Sequence, residues 1–335
     1  FSVYGLSLVV VLVNFAISMG LLLAFGDQWR FDGQPELNRK AGQQWTIAVA
    51  AVFLLWAGFG VMTLASAPED APTVRVAAIQ HGFAKPGHMD PDTQLERLAV
   101  LSEQTRFAAE QGARFIVWPE LSLGFDPQVE HTAELQALAK ETNAYILIGY
   151  GIVTPDDQWR NEAVVLTPSG EFAFVYGKNF NTIPGEPSIV TAGSYPVLET
   201  EIGNLATIIC NDINFTVTTR TLAQNGAQII SVPTLETGAP GLGWEQRTQI
   251  ALRAVENHVA IVKAEAAGIS MIVDPYGRIV AQNELPAGIA NALVADVPLG
   301  TGAPPYTHLS DWMGWVTLVG MVGFSVVTGR KPKVG

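Results

Sequence analysis

Long stretches without charged side chains constrain this chain more than any other feature of its sequence. Residues 45–65 carry no charge, and a helix of that length rises about 30 Å, the thickness of the hydrocarbon core of a bilayer. Residues 1–26 are similarly apolar, and residues 312–328 form a shorter run that begins with Trp312 and Trp315. With 48% hydrophobic and 15% charged residues, the chain is expected to lie partly in a membrane. We predict three transmembrane helices, with a buried soluble helix as the alternative for the third.

Basic residues beside these stretches indicate their orientation, because Lys and Arg concentrate in cytoplasmic loops. They lie between the first two stretches and after the third: Arg30, Arg39, Lys40, Arg330, Lys331 and Lys333. We therefore predict two transmembrane helices in residues 1–65 joined by a cytoplasmic loop at 27–44. An extracytoplasmic domain is predicted at 66–311, and a third helix with a cytoplasmic tail at 312–335. The first stretch lacks the flanks of a cleaved signal peptide, and the missing initiator Met predicts further sequence upstream.

Charge, cysteine content and histidine spacing argue against nucleic-acid binding, an intrachain disulfide and a metal site. The formal net charge of −12, from 31 acidic and 19 basic residues, would repel a polyphosphate, so we do not expect nucleic-acid binding. The single cysteine, Cys210, cannot form an intrachain disulfide. We predict no metal and no cofactor, because the histidines lack the spacing of metal ligands; they are His81, His88, His131, His258 and His308.

Apolar periodicity predicts an α/β domain between the membrane segments. Strands and helices alternate in the first half, with strands at 74–79, 114–118 and 144–153 and helices at 93–112 and 130–143. The second half repeats this alternation, with strands at 205–210, 228–232 and 259–264 and helices after the first two. Turn residues at 168–170 and 274–277 predict two hairpins. Helices interleaved with strands and hairpins predict a layered domain of mixed sheets.

Three apolar strands are each followed or ended by a residue suited to catalysis: Glu120, Lys178 and Cys210. A thiol is mostly protonated near neutral pH, so its attack on a carbonyl needs a base. The oxyanion formed by that attack needs a cation or a backbone N–H. We assign Cys210 as nucleophile and Glu120 as base, with Lys178 and the N–H of Asn211 stabilising the oxyanion. The product would be a thioester.

Each residue alone also has a simpler interpretation. A single cysteine in an apolar strand is more often an inert core residue. A glutamate after a proline, such as Glu120, is usually a solvated loop charge, and a lysine such as Lys178 usually lies on the surface. Their joint pattern favours a site, and Glu186 lies eight residues beyond Lys178 in a Pro-Gly-Glu-Pro loop that can turn back toward it.

The motifs around these residues resemble those of the nitrilase superfamily of carbon–nitrogen hydrolases, whose triad has the same Glu-Lys-Cys order. The matching pieces are Trp118-Pro119-Glu120, Tyr176-Gly177-Lys178 and Ile208-Ile209-Cys210. Within the superfamily, the membrane flanks are most similar to the apolipoprotein N-acyltransferases, as in Tyr306 followed by Asp311-Trp312 before the last helix. The resemblance implies an α/β fold, with a nitrilase-like α-β-β-α layered domain flanked by transmembrane helices.

The resemblance also implies residue roles. Glu120 would be the base, Lys178 the oxyanion stabiliser, Cys210 the nucleophile and Glu186 a supporting carboxylate. Asn211 and Asp212 stand where the acyltransferases usually have Tyr-Glu, and we predict that this pair binds substrate.

The leading functional hypothesis is a multi-pass acyltransferase of the bacterial inner membrane with an extracytoplasmic catalytic domain. It would move a fatty acyl chain from a phospholipid donor, through a thioester on Cys210, to the N-terminal amine of a lipoprotein acceptor. The Asn211-Asp212 departure favours an alternative, a membrane-anchored amidase in which water resolves the intermediate. A non-catalytic membrane scaffold is the third hypothesis.

Overall fold

The computed structural model describes residues 3–26, 28, 38–65, 67–68, 71–83, 85–155, 158–181, 194–236, 242–284, 288–301 and 304–329. The chain divides into two compact units. One unit contains the N-terminal residues Phe1–Glu69 together with Leu309–Gly335, and the other contains Asp70–His308. The predicted boundaries of the membrane segments and the central domain, at 1–65, 66–311 and 312–335, stay a prediction.

Among its described residues, the first unit contains the helices α1 (Val3–Phe25), α2 (Arg39–Ala65) and α8 (Trp312–Gly329). Two of its segments, Gly5–Phe25 and Arg39–Ala65, are long and apolar enough to cross a membrane. Large apolar side chains on α2 are exposed, as in Leu55 at 75%, and such exposure is unfavourable in water but favourable in lipid. Helix α8 has only a shorter apolar stretch, Gly314–Gly323, so the third span stays a prediction.

The second unit is built from strands and helices that alternate along the chain. Its helices are α3 (Gln94–Glu110), α4 (Thr132–Thr142), α5 (Thr216–Gln224), α6 (Leu242–Asn257) and α7 (Pro305–Leu309). Its strands are β1 (Thr73–Gln80), β2 (Phe115–Val117), β3 (Tyr145–Val153), β4 (Trp159–Leu166), β5 (Phe172–Gly177), β6 (Val197–Leu198), β7 (Leu205–Thr207), β8 (Ile229–Thr234), β9 (Ala260–Glu265), β10 (Ile269–Val273), β11 (Ile279–Glu284) and β12 (Asn291–Pro298).

In the part of the chain that the structure describes, the strands form two six-stranded sheets. The first has the order β12-β1-β2-β3-β4-β5, with β1, β2 and β3 parallel to one another. The second has the order β11-β10-β9-β8-β7-β6, with β7, β8 and β9 parallel. The remaining pairs are antiparallel, including the predicted hairpins β4–β5 and β10–β11. Each sheet therefore has a parallel centre whose strand carboxyl ends share one edge.

Strand periodicity divides the apolar side chains between two cores. Val117 faces a core that contains side chains of both sheets and of α5 and α6. Its neighbour Ile116 faces the opposite side, where α3 and α4 cover the first sheet. Because alternate residues of a strand point to opposite faces, both faces of each sheet are buried. The layers follow the order helix, sheet, sheet, helix, and the predicted α/β fold is confirmed.

Candidate active site

Glu120, Lys178 and Cys210 come together at the carboxyl edge of the two sheets. Glu120 follows β2, Lys178 follows β5 directly, and Cys210 follows β7. All three are nearly buried, at 3%, 3% and 6% exposure. The structure thus brings together three side chains that are far apart in the sequence.

The Glu120 carboxylate is the centre of this cluster. Its Oε1 accepts hydrogen bonds from Lys178 Nζ at 3.0 Å and from Asn161 Nδ2 at 2.6 Å. Its Oε2 accepts the backbone N–H of Leu235 at 3.0 Å. A charge-assisted contact in a buried site is strong and directional, so these three donors fix the carboxylate in one orientation.

Cys210 is the third residue of this cluster, and its thiol interacts with the Glu120 carboxylate. Burial raises the pKa of its thiol well above the ordinary value, and the negative charge of Glu120 raises it further, against the opposing effect of Lys178. The thiol also hydrogen-bonds with Glu120. The resting sulfur is therefore a neutral thiol, and it needs a base in contact with it to become a nucleophile.

The backbone around Cys210 turns sharply. The strand predicted to reach the sulfur ends earlier, at Thr207, and a 3₁₀ turn covers Cys210–Asn214. Cys210 itself has a φ of 47°, in the left-handed region that most residues avoid. Strain of this kind is found where the fold must present one side chain at a fixed place.

Close packing of β3 against the end of β2 positions Glu120. A Cβ atom at Gly149 would collide with the carbonyl oxygen of Pro119. Trp118, before that proline, donates its indole N–H to Thr105 of α3 at 2.9 Å. The two residues before Glu120 are therefore fixed in place, Pro119 by its contact with Gly149 and Trp118 by its hydrogen bond to Thr105.

Asp212 joins the lysine segment to the cysteine turn. Its fully buried carboxylate accepts hydrogen bonds from the Tyr176 hydroxyl at 2.7 Å and from the N–H groups of Phe180 at 2.8 Å and Ile209 at 3.1 Å. Burial raises the pKa of Asp212 to about 6, against the effect of these hydrogen bonds. The contacts support a positioning role for Asp212, whereas the sequence predicts that it binds substrate.

The other predicted site residues have different surroundings. Asn211 is partly buried and donates from Nδ2 to the carbonyl oxygen of Asn181 at 2.8 Å, and its predicted role in binding substrate stays a prediction. Glu186 lies outside the described residues. In the part of the chain that the structure describes, no group of three or more His, Cys, Asp or Glu residues could hold a metal ion.

Two partners of Glu120 were missed in the sequence. Asn161 is buried at 1% exposure in β4, on the same face as Ala163 and Val165. Its signal was a polar residue in the inward-facing positions of a strand. The Leu235 N–H left no signal, because a backbone donor does not depend on residue type.

Comparison with known proteins identifies the family. A family model for carbon–nitrogen hydrolases matches residues 75–304, which include the whole Glu-Lys-Cys cluster. The chain belongs to this family. The family prediction made from the motifs is therefore confirmed.

Both acyltransferases and hydrolases of the family are similar to the chain. An apolipoprotein N-acyltransferase of Geobacter metallireducens is 23% identical over 99% of this chain and 66% of its own length. A second, from Mycolicibacterium smegmatis, is 26% identical over 83% of this chain and 52% of its own length. The chain thus spans about half to two thirds of the length of these acyltransferases. A hydrolase of Schizosaccharomyces pombe is 28% identical over 72% of this chain and 83% of its own length.

Solved amidase structures share the fold of the central domain. The crystal structure of an amidase from Nesterenkonia sp. is 26% identical, with a TM-score of 0.54, and covers 67% of this chain and 90% of the amidase. A mutant of the amidase from Nesterenkonia sp. AN1 in complex with butyramide is 25% identical with a TM-score of 0.55, covering 70% of this chain and 94% of the amidase.

Proposed function

We propose that this protein is a membrane-bound acyltransferase that moves a fatty acyl chain from a phospholipid to the N-terminal amine of a lipoprotein. One observation favours acyl transfer over amide hydrolysis, the other activity among similar proteins of the family. The Geobacter metallireducens acyltransferase aligns with 99% of the chain, so the alignment includes the apolar helices, whereas the crystal structure of the Nesterenkonia sp. amidase covers 67%. A lipid donor gives those helices a function, because its reacting ester lies at the membrane surface.

In the first half of the proposed reaction, Glu120 takes the proton of the Cys210 thiol as the sulfur attacks the ester carbonyl of the phospholipid. The hydrogen bond between Glu120 and Cys210 supports this transfer. The ammonium of Lys178 and the N–H of Asn211 would stabilise the oxyanion. Its collapse breaks the carbon–oxygen bond, and Glu120 returns the proton to the leaving lysophospholipid alkoxide. The acyl chain remains on Cys210 as a thioester.

In the second half, the acceptor amine attacks the thioester carbonyl. Glu120 takes a proton from the attacking nitrogen and delivers it to the leaving sulfur, so the amide forms and the thiol is restored. The choice between amine and water decides between transfer and hydrolysis. Burial of the cluster favours transfer, because it limits the access of water to the thioester.

The proposed location follows from the same alignment and from the basic flanks. We place the protein in the inner membrane of a bacterium, with α1 and α2 in the bilayer and the catalytic domain on the extracytoplasmic side. The two long apolar helices support the membrane location. The phospholipid and the lipoprotein are the partners that this location makes available.

Hydrolysis of amides is the second candidate function. It is supported by the shared fold with the Nesterenkonia sp. amidases, one of which was crystallised as a mutant with butyramide. Asn211 also supports it, because a small polar residue beside the sulfur leaves room for water. In this version the thioester forms from an amide, ammonia leaves, and water releases the acid.

Labelling with a phospholipid that carries a tagged acyl chain tests the proposal. We expect purified wild type to acquire a label that hydroxylamine removes, and we expect no such hydroxylamine-sensitive label on Cys210→Ser, whose hydroxyl cannot form a thioester. A diacylated lipopeptide should then remove the label from the wild-type protein and become triacylated. A wild type that stays unlabelled refutes acyl transfer.

Two further measurements separate the other hypotheses. Release of ammonia from butyramide without lipid would favour the amidase. Full complementation of a deletion strain by Glu120→Ala, Lys178→Ala and Cys210→Ala, each tested separately, would favour a scaffold without catalysis.

A further inference from the structure

Two charged residues lie fully buried in β9, beside the active site. Lys263 and Glu265 both have 0% exposure. Strand β9 pairs in parallel with β8, which aligns Lys263 with Val232 and Glu265 with Thr234. Burial of a charge costs free energy unless the charge is paired and hydrogen-bonded, so such residues need a structural or functional reason.

The contacts of Glu265 lead out of the strand and into the next loop. Its Oε1 accepts the N–H of Glu236 at 2.9 Å and that of Ala266 at 3.0 Å. Its Oε2 accepts Lys263 Nζ at 3.2 Å. Lys263 Nζ also donates to the carbonyl oxygen of Ile269 at 2.8 Å and pairs with Glu236 Oε1 at 3.1 Å. The two charges therefore hold the Glu236 residue by both its backbone and its side chain.

This arrangement fixes the short segment that follows β8. On one side of Leu235, the Thr234 hydroxyl donates to the carbonyl oxygen of Ala264 at 3.1 Å. On its other side, Glu236 is held by Glu265 and Lys263. Leu235 lies between these anchors, and its N–H is the donor that holds Oε2 of Glu120 at 3.0 Å.

An electrostatic role in activating the thiol does not explain Glu265. The negative charge of Glu265 raises the pKa of Cys210, in the same direction as burial and the charge of Glu120. This effect opposes formation of the thiolate. Lys263 stays an ammonium, since its carboxylate neighbours Glu265 and Glu236 raise its pKa against the lowering effect of burial. The Lys263–Glu265 pair therefore affects the site through the positions of the groups that it holds, and not through its charge.

We propose that Glu265 and Lys263 are positioning residues for Glu120, which they hold in place through the backbone N–H of Leu235. The inference rests on the proposed function only in taking Glu120 as the base for the Cys210 thiol. The pair acts on the base through the 234–236 segment and does not touch the reacting atoms.

Alkylation of Cys210 by iodoacetamide tests this proposal in the 335-residue chain, without any acyl donor. Cys210 is the only cysteine, so every alkylated molecule reports this thiol. We expect Glu265→Gln to slow alkylation at pH 7 by about tenfold, the effect of one lost hydrogen bond to a charged group. A purely electrostatic role predicts the opposite sign, because loss of the negative charge lowers the pKa of the thiol and speeds alkylation.

Two more variants identify the route of the effect. Leu235→Pro removes the backbone N–H itself. If Glu265 acts through that N–H, Glu265→Gln should change the rate by less than about twofold in the Leu235→Pro background. An equal effect in both backgrounds would overturn the proposal.

Glu265→Asp keeps the charge and withdraws the carboxylate from the Glu236 N–H, so it should also slow alkylation. This variant serves if Glu265→Gln does not fold, and a wild-type rate in either folded variant also contradicts the proposal. Glu171→Gln, at an exposed position, is the matched control and should react like wild type, whereas Glu120→Gln should be slow.

The alkylation experiment and the lipid-labelling experiment can fail independently of each other. Absence of lipid label with slow alkylation in the Glu265 variants would refute acyl transfer and keep the positioning role. Normal alkylation in those variants, with lipid label on the wild type, would refute the positioning role and keep acyl transfer.

Discussion

At the scale of single residues, the site works through one carboxylate with several partners. Glu120 contacts the lysine and the thiol, and two further donors fix its orientation. The thiol stays protonated at rest because burial and the negative charge of Glu120 raise its pKa. The reactivity of Cys210 therefore depends on Glu120 as its base.

Asn161 provides the residue-scale prediction. Asn161→Ala removes the 2.6 Å hydrogen bond to Glu120 Oε1, and we expect thioester formation to slow by about 10- to 100-fold. The rate of labelling by tagged phospholipid measures this effect, with circular dichroism as the test of folding. Asn225→Ala, which removes an amide contact to Tyr195 on the exposed surface, should label at the wild-type rate. An unchanged rate in folded Asn161→Ala would show that Lys178 and Leu235 hold the base without it.

At the scale of elements, the ends of the strands decide where the chemistry lies. Helix α3 and strand β3 together fix the segment that carries Glu120, through the Trp118 hydrogen bond and the contact at Gly149. The sequence predicted that each strand end carries a reactive residue. It did not predict that β7 ends at Thr207, because Ile208 and Ile209 are as apolar as the strand itself.

Gly149 provides the element-scale prediction. In Gly149→Ala the new methyl group meets the carbonyl oxygen of Pro119, and we expect the displaced Glu120 segment to slow Cys210 alkylation by at least about tenfold. The overpacking should also destabilise the domain by about 1–3 kcal/mol, measured by thermal unfolding in detergent. Gly58→Ala is the control, because no described heavy atom beyond the helix's own backbone and the neighbours of Gly58 lies within 4 Å of the added Cβ. Wild-type reactivity in Gly149→Ala would mean that the Glu120 segment has another support.

At the scale of the whole molecule, an apolar unit and an α/β unit coexist in one chain. The apolar unit has the length and composition to cross a membrane twice through α1 and α2. The α/β unit belongs to the carbon–nitrogen hydrolase family, and a solved amidase structure covers 67% of the chain, whereas the Geobacter metallireducens acyltransferase aligns with 99% of it. The helices, rather than the catalytic cluster, distinguish the two candidate functions.

The orientation in the membrane can be tested with single cysteines in a Cys210→Ser background. We expect Val129→Cys, an exposed position in the α/β domain, to react with a membrane-impermeant maleimide in intact spheroplasts. Lys40→Cys, in the predicted cytoplasmic loop, should react only after lysis. The reverse pattern would place the domain in the cytoplasm and contradict the proposed access to lipoproteins.

His81 predicts a pH dependence of stability. Burial, followed by the positive charge of Arg97, lowers the pKa of His81 from 6.5 to about 3. Below pH 6.5 the unfolded chain therefore binds a proton that the folded domain does not, and stability falls as pH decreases toward 3. At pH 5 the loss relative to pH 7 should be about 2 kcal/mol.

His81→Asn is the comparison that isolates this effect, because its side chain does not titrate. Its Oδ1 can still accept the Phe83 N–H that His81 Nδ1 accepts at 3.0 Å. Thermal unfolding at pH 7 and pH 5 should show the extra loss in wild type alone. Equal losses in both proteins would mean that His81 does not set the acid sensitivity.

The sequence by itself determined the α/β alternation, the family and the three residues of the cluster. These features depend on local patterns, since periodicity and short motifs involve residues that are adjacent in the chain. Glu120, Lys178 and Cys210 could be found because each ends or follows an apolar run.

Only the tertiary structure decided what holds those residues in place. Asn161, the Leu235 N–H and the buried Lys263–Glu265 pair reach the site through the register of strands that are distant in the sequence. Asp212 likewise gained its positioning contacts only when the chain segments around Tyr176 and Ile209 met. Which side chains meet depends on strand register, and a one-residue shift of register would turn each of these side chains to the other face of its sheet.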